Sequence, residues 1–493
     1  MSFASLALAL AIPVAPESVC AALARQFPDT RTEWAEARVV SGRALPAHCR
    51  VIGTLHPVPG SRIGYELWLP RSWSGRLQML GNGGYASALP HAAMAEGLAR
   101  GSAVVATDTG HQGDDPDFAR GRRQAIADWG WRAVHETALA AKQLVARFYG
   151  RAAAHSYFNG CSTGGHQAMM EAQRFPRDFD GIVAGAPGSN RVRLNAAFLW
   201  QYLSNHRTGD DQAPILDRQD LQLLSAQSFA LCRGANGKAA GGLPGDRWLN
   251  DPLQCRPDPS ALLCRPGQTA GCLSAEKVAA VRAMRMGVRD ARGAQVTFPW
   301  LPGSEAGWSA YWSDPRQPSQ PMRVNFWRVW AFDDPAWSWW RFSYARDLPD
   351  AMRRLSPVID ATDPDLRAYR ARGGRLLVYH GLADPVVSPL DTLAYRRAML
   401  ARTGAAADWY RLFLVPGMGH CGGGDGPNRF DAQAAIEHWV EQGKIPARLT
   451  GTLADDATRP ICAYPARAVH RAGDGTKEGD FICAAPQLPR NRR

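Results

Sequence analysis

Ser156-Tyr157-Phe158-Asn159-Gly160-Cys161-Ser162-Thr163-Gly164-Gly165 reads as a strand edge that runs through a turn of small residues into a helix. Its centre, Gly160-Cys161-Ser162-Thr163-Gly164, has the Gly-x-Ser-x-Gly frame. A serine on so sharp a strand-to-helix turn stands clear at the carboxyl edge of a sheet, and glycines on either side permit the close approach the turn requires. The bland reading is a glycine-rich turn with no chemistry. The order of elements around it counts against that reading.

Strands are expected at Ile63–Leu69, Leu77–Leu80, Ala103–Thr107 and Gly181–Gly185, and a long helix over Asp128–Tyr149. In that helix apolar residues return at helical spacing through Ala133, Ala140, Leu144 and Phe148, and a further helix is expected over Gly165–Phe175. Alternation of this kind predicts a doubly wound, mostly parallel sheet of the α/β class. The pattern stops near Pro187 and resumes with the buried strand Gly374–His380. The interval is rich in glycine and proline, and its part from Phe298 to Tyr344 holds eight of the 17 tryptophans. Residues 190–355 are therefore expected to form a large inserted lid domain, with the core built from 17–189 and 356–493.

The chain has 493 residues, 45% apolar and 21% charged, which is ordinary for a globular protein and ample for a large core. The net charge of +12 comes mostly from scattered arginine. With no basic block beyond pairs and the Arg490–Arg493 tail, a nucleic-acid partner is not expected. Residues 1–16 begin with an apolar run that resembles the hydrophobic part of a secretory signal but lacks a charged start. It is too short to span a bilayer, and no later stretch is long enough, so no membrane partner is expected.

Ten cysteines, an even number with no Cys-x-x-Cys, favour disulfides and an oxidising compartment over zinc. Spacings suggest neighbours such as 20/49, 232/255, 264/272 and 462/483, but the connectivity stays open. A secreted or periplasmic location is the expectation.

A serine nucleophile needs a base and an acid, in the chain order Ser…Asp…His on this architecture. The acid is best placed at Asp384, in the loop His380-Gly381-Leu382-Ala383-Asp384-Pro385 after a late strand. Asp391 and Asp408 are competitors that read as solvated surface groups. The base is best placed at His420, in Gly417-Met418-Gly419-His420-Cys421-Gly422 after the apolar run Leu412–Val415. His380 is the rival and reads as a packed histidine at a strand end. Because Ser162 and His420 each adjoin a cysteine, a Cys161–Cys421 bond could tie nucleophile to base. An oxyanion needs backbone N–H donors. Thr163 supplies one, and Gly81-Asn82-Gly83-Gly84-Tyr85 after an early strand offers Gly83 first and Gly84 second.

These residues, together with Thr107-Asp108-Thr109-Gly110-His111 and Phe179–Pro187, resemble the tannase and feruloyl esterase family, which also includes a hydrolase of mono(2-hydroxyethyl) terephthalate. The resemblance runs from about Val51 to Cys483. It implies an α/β-hydrolase core, a large lid, a Ser162–His420–Asp384 triad and a Cys161–Cys421 disulfide. It also implies calcium in an acidic lid loop after a cysteine. Here Cys232 is followed by Arg233 and Asn236, with only Asp246, Asn250 and Asp251 fitting the later part, so calcium is possible but the loop looks degenerate, and no cofactor is required. The expected substrate is a small aromatic ester of the feruloyl or galloyl type, with Trp327, Trp330, Trp337, Phe342 and Ser343 as candidates to bind it. Most of these aromatics are expected to form the lid's own core or its contact with the hydrolase domain, with one or two facing the cleft.

An arginine reaching a free carboxylate would favour a terephthalate monoester, and Arg328 and Arg341 lie in the right stretch. The spacing of that enzyme type would, however, put its arginine at Ser338. A hydrolase-fold binding protein without catalysis, or a peptidase, is the alternative from another class.

Overall fold

The computed structural model describes residues 17–23, 32–42, 45–234 and 242–485. The signal-like segment 1–16 lies outside them. The strands in chain order are β1 (Thr32–Val40), β2 (His48–Leu55), β3 (Ile63–Pro70), β4 (Arg76–Leu80), β5 (Ala103–Thr107), β6 (His155–Cys161), β7 (Gly181–Gly185), β8 (Ser313–Asp314), β9 (Gln317–Pro321), β10 (Arg375–Gly381) and β11 (Tyr410–Val415). Four more, β12 (Arg448–Thr452), β13 (Thr458–Cys462), β14 (Arg467–His470) and β15 (Phe481–Ala484), form two C-terminal hairpins.

Nine strands make one sheet in the order β1-β2-β3-β5-β4-β6-β7-β10-β11. The first three pair antiparallel and β3 meets β5 antiparallel, while every pair from β5 to β11 is parallel. The parallel half is buried on both faces. All five residues of β5 and of β7 are buried, which is why Ala-Val-Val-Ala-Thr and Gly-Ile-Val-Ala-Gly carry no polar alternation. One face packs on helices Ala133–Tyr149 and Thr163–Arg174, and the other on helix Ala432–Gln442 through Ile436 and Trp439.

The expected helix Asp128–Tyr149 is different in detail. A short helix Arg123–Ala127 leads into a π turn, Asp128–Arg132, and only then into Ala133–Tyr149. Apolar spacing does not reveal such a bulge. Its cause is tertiary: Asp128 accepts from Ser61 Oγ (2.7 Å) and from Arg132 (2.8 Å), while Gly130 lies against the Val358 carbonyl.

Between β7 and β10 the chain forms helices Arg191–Ser204, Arg218–Cys232, Ala275–Met286 and Asp347–Ile359, a 3-10 turn Glu305–Tyr311, the β8–β9 hairpin and a π turn Phe326–Ala331. Helix Asp347–Ile359 runs through the boundary expected at 355. Its Leu355 and Ile359 pack in one cluster with Trp129 and Trp330, so this insertion and the sheet's helices share a core there.

Candidate active site

Ser162 sits between β6 and helix Thr163–Arg174 with φ +63°, a left-handed conformation that costs a serine free energy. The turn is held by its surroundings. Ser162 N–H donates to the Gly185 carbonyl (3.0 Å), and Ser162 O accepts from His166 (2.9 Å) and Gly188 (3.2 Å). A Cβ on Gly160 would lie 2.6 Å from Gly164 backbone atoms, so the first glycine of the frame is sterically required, while a Cβ on Gly164 would press on Asn82 and Gly81 at 3.2 Å.

Asp384 follows β10 and is fully buried. Its Oδ1 accepts from the N–H groups of Val386 (2.7 Å) and Val387 (3.0 Å), and its Oδ2 accepts from His420 Nδ1 (2.8 Å). Burial alone would raise the carboxyl. The charge of His420 and hydrogen bonds from His380 and His420 outweigh it and hold the group at about 2. His380 is buried with Nε2 donating to the Val387 carbonyl (2.9 Å), 3.3 Å from Asp384 Oδ2, and Nδ1 2.8 Å from the Thr392 hydroxyl. It is a packed histidine that supports the acid loop.

Asp408 is exposed, as expected of a surface group. Asp391 is not one. It faces a cavity with Ser189, Asn190 and Tyr395, and burial pushes its carboxyl up to about 6.

Cys161 and Cys421 are bonded, with Cα atoms 5.8 Å apart across a sequence separation of 260. The bond joins the residue before Ser162 to the residue after His420. The other cysteines pair as their spacing suggests: 20–49, 232–255, 264–272 and 462–483.

The loop Gly81–Tyr85 lies against the serine turn. Thr163 is buried and its hydroxyl donates to the Gly84 carbonyl (2.6 Å), while Asn82 N–H donates to Gln167 Oε1 (3.0 Å). Gly84 has φ +56°, and a Cβ on Gly83 would meet nothing within 4 Å. The Thr107–His111 motif braces this loop from behind: His111 Nε2 donates to the Tyr85 carbonyl (2.6 Å), and Asp108 Oδ1 accepts from Gly64 and Gly110 (both 2.8 Å).

Most of the aromatic candidates pack in the core of the lid stretch. Trp327 is 1% and Trp330 5% exposed, too buried to meet a substrate. Trp330 donates to the Pro116 carbonyl (2.7 Å) and packs edge-on to Tyr85 and Trp129. Trp337 and Phe342 pack on Trp327 at 6.0 and 4.7 Å between ring centres. Ser343 holds the start of helix Asp347–Ile359, its N–H donating to Asp347 (2.8 Å). Arg328 lies over Trp339 and donates to the Trp337 carbonyl, Arg341 is exposed, and Ser338 precedes a short 3-10 turn.

Other residues stand near the acid and the serine turn. Phe198, Met322, Val386 and Val387 form a small apolar cluster with Leu194 and Tyr311 around it. Buried Arg191 donates to the Thr163 hydroxyl. Arg323 lies over Tyr85, with Nη2 3.1 Å from where a Cβ of Gly84 would be. No motif marks these residues, because the insertion and the acid loop meet only in three dimensions. An open cleft of about 300 Å³ adjoins His420 and is walled by Trp248, Ser304 and Pro385 among others.

Among the described residues one group has donors spaced for a metal ion, His135, Glu171 and Asp178, within 4.8 Å of one another. There His135 Nδ1 already donates to Asp178 (2.6 Å), and Lys142 lies 3.9 Å from the same carboxylate.

Comparison with known proteins bears on this arrangement. The family model described as tannase and feruloyl esterase matches residues 49–484. A mono(2-hydroxyethyl) terephthalate hydrolase of Piscinibacter sakaiensis is 33% identical, over 96% of this chain and 93% of its own. A probable feruloyl esterase B of Emericella nidulans is 31% identical, over 88% and 86%. A crystal structure of an esterase from Aspergillus oryzae superposes with a TM-score of 0.86 at 27% identity, covering 95% of this chain and all of that one. The mixed, mostly parallel sheet with its flanking helices is thus an α/β-hydrolase fold, and the chain is a carboxylic ester hydrolase that belongs to the tannase and feruloyl esterase family.

Proposed function

We propose that this chain hydrolyses esters of aromatic acids through Ser162, His420 and Asp384 by way of an acyl-enzyme. The observation that carries the reading is the 2.8 Å contact of Asp384 with His420, on a loop bonded through Cys421 and Cys161 to the residue before Ser162. His420 Nε2 takes the proton of Ser162 Oγ as that oxygen bonds to the ester carbonyl carbon. The resulting oxyanion accepts from the N–H groups of Thr163 and Gly83, with Gly84 next in the same loop. Collapse breaks the ester C–O bond, and His420 returns the proton to the departing alcohol. A water then gives a proton to His420 as it attacks the acyl carbon, and collapse breaks the Ser162 Oγ–acyl bond as His420 returns that proton to Oγ, freeing the acid. Asp384 stays ionised and stabilises the imidazolium.

The acyl group is assigned to the partly exposed Leu194 and Tyr311, which flank the buried cluster of Phe198, Met322, Val386 and Val387, and the alcohol to the open cleft beside His420. Residues 190–355 act as the lid over both. Feruloyl or galloyl esters are the first choice, in keeping with the names of the relatives. A terephthalate monoester is the second, favoured by the Arg323 guanidinium beside Gly84 and by the Piscinibacter relative. Five disulfides fit a secreted or periplasmic protein.

The test is hydrolysis of methyl ferulate, methyl gallate and the terephthalate monoester by wild type, Ser162→Ala and Arg323→Ala. Activity on an aromatic ester that Ser162→Ala abolishes is expected. Equal turnover by a folded Ser162→Ala protein would remove the nucleophile assignment. A selective rise in KM for the monoester in Arg323→Ala would favour the second substrate.

A further inference from the structure

The loop closed by Cys232–Cys255 is where the family resemblance offers calcium. Asn236 lies outside the described residues, but Arg233, Asp246, Asn250 and Asp251 can be tested as a donor set. Calcium takes six to eight oxygens at about 2.3–2.6 Å, several from carboxylates. Here the oxygens face other partners. Asp246 Oδ2 accepts from Leu243 N–H (2.8 Å) and Asn250 Nδ2 (3.2 Å), and its Oδ1 is 3.7 Å from Arg459 Nη2. Asn250 Oδ1 accepts from Trp248 Nε1 (3.2 Å). Asp251 Oδ2 accepts from Arg467 Nη1 (2.7 Å). Arg233, at the first ligand position, donates to the Pro244 carbonyl. A cation placed among these groups would meet three guanidinium groups and would have to displace the N–H hydrogen bonds to Asp246. Among the described residues, the donor set does not fit calcium.

We propose that in this chain Arg459 and Arg467, from the C-terminal hairpins, do the work of a structural cation and clamp the Cys232–Cys255 loop without metal. Arg459 is in β13 and Arg467 starts β14, and the Cys462–Cys483 bond ties β13 to β15, the strand paired with β14. Arg459 is buried, lies over the Phe481 ring, and donates to the carbonyls of Thr458 and Gly475, so its guanidinium is rigidly aimed. The hairpin connection also touches the loop directly. Gly475 has φ +79°, and a Cβ there would lie 2.2 Å from Leu243 Cδ1. The clamp has a functional consequence, because the loop it holds carries Trp248 and Leu249, one wall of the cleft beside His420.

The experiment uses the full chain. Anything that binds the folded state alone stabilises it by RT ln(1 + c/Kd), with c its free concentration, and so raises Tm. Tm of the wild type is therefore measured as purified, after EDTA, and after EDTA with millimolar CaCl₂, alongside elemental analysis for calcium. Unchanged Tm and no stoichiometric calcium are expected. A Tm that falls with EDTA and returns with CaCl₂ would overturn the proposal. A double-mutant cycle with Asp251→Asn and Arg467→Met tests the clamp itself, each single variant lowering Tm by a few degrees and the pair by no more than one of them. Additive losses would mean the two side chains do not act as a pair. Arg467→Lys, expected to keep part of the stability, serves if Arg467→Met does not fold.

Discussion

The serine turn and the tryptophan cluster of the insertion are built on opposite principles. At the turn, Ser162 and Cys421 both adopt left-handed backbone, and the geometry is held by a disulfide, backbone hydrogen bonds and a buried carboxylate. In the insertion, Trp327, Trp330, Trp339, Phe326 and their neighbours are held by ring packing and apolar burial. A strained site must be over-determined by its surroundings, whereas an apolar cluster needs only shape and area. In the first region, substitution of Ser162 should act mainly on activity and substitution of the groups that hold it on both activity and stability; in the second region, substitutions should act mainly on stability.

The largest contrast is expected from Ser162→Ala, which should lower kcat/KM by about 10⁴-fold or more with little change in Tm. A fall in Tm as large as the loss of activity would erase the distinction. Cys161→Ala with Cys421→Ala comes next. The chain-entropy model gives roughly 5 kcal/mol for a crosslink over so long a loop, and turnover should fall as well because His420 loses its tether. Full activity in a folded double variant would show that hydrogen bonding alone positions the base. Trp327→Ala should cost about 3–5 kcal/mol in denaturant unfolding, with KM for aromatic esters unchanged in the folded fraction. A change confined to KM would move this ring from core to pocket.

The acid limb sharpens the comparison further. The Asp384 carboxyl is held at about 2, below its ordinary 3.8, so its contribution is present above pH 4 and lost as pH falls through 2. Wild type should therefore lose about 2 kcal/mol across that window, and Asp384→Asn should show a flatter profile there. Glu171 at the far end of the serine helix has the opposite sign: burial first, then Asp178, raises its carboxyl well above the ordinary value. The smallest effect is expected for Arg341→Ala, on an exposed side chain, at under about 0.5 kcal/mol and with no change in selectivity.

Much of the sheet was legible in the chain. Its buried strands are short apolar runs without alternation, and the strand–Gly-x-Ser-x-Gly–helix frame gave the turn at Ser162. The π turn at Asp128–Arg132 was not, because it answers to Ser61 and Val358, far off in sequence. The same holds for the aromatic stretch. A tryptophan that lines a cleft and one that fills a core look alike in a sequence, and only the packing of Trp330 on Tyr85 and Trp129 separates them. Asp391 was misread for the same reason, since its surroundings come from Ser189 and Asn190 on another part of the chain.

By itself the sequence determined the α/β class, the order Ser162…Asp384…His420, the cysteines beside serine and histidine, and the degenerate loop after Cys232. These are local patterns, set by residue size, backbone freedom and spacing along one strand or turn. The tertiary structure alone decided that Asp384 reaches His420, that His380 supports the acid loop, and that Arg191 and Arg323 stand beside Thr163 and Gly84. It also decided that Arg459 and Arg467 meet Asp246 and Asp251. Each of these pairings joins segments far apart in the chain, so its energy depends on how sheet, insertion and hairpins dock rather than on any neighbour in sequence.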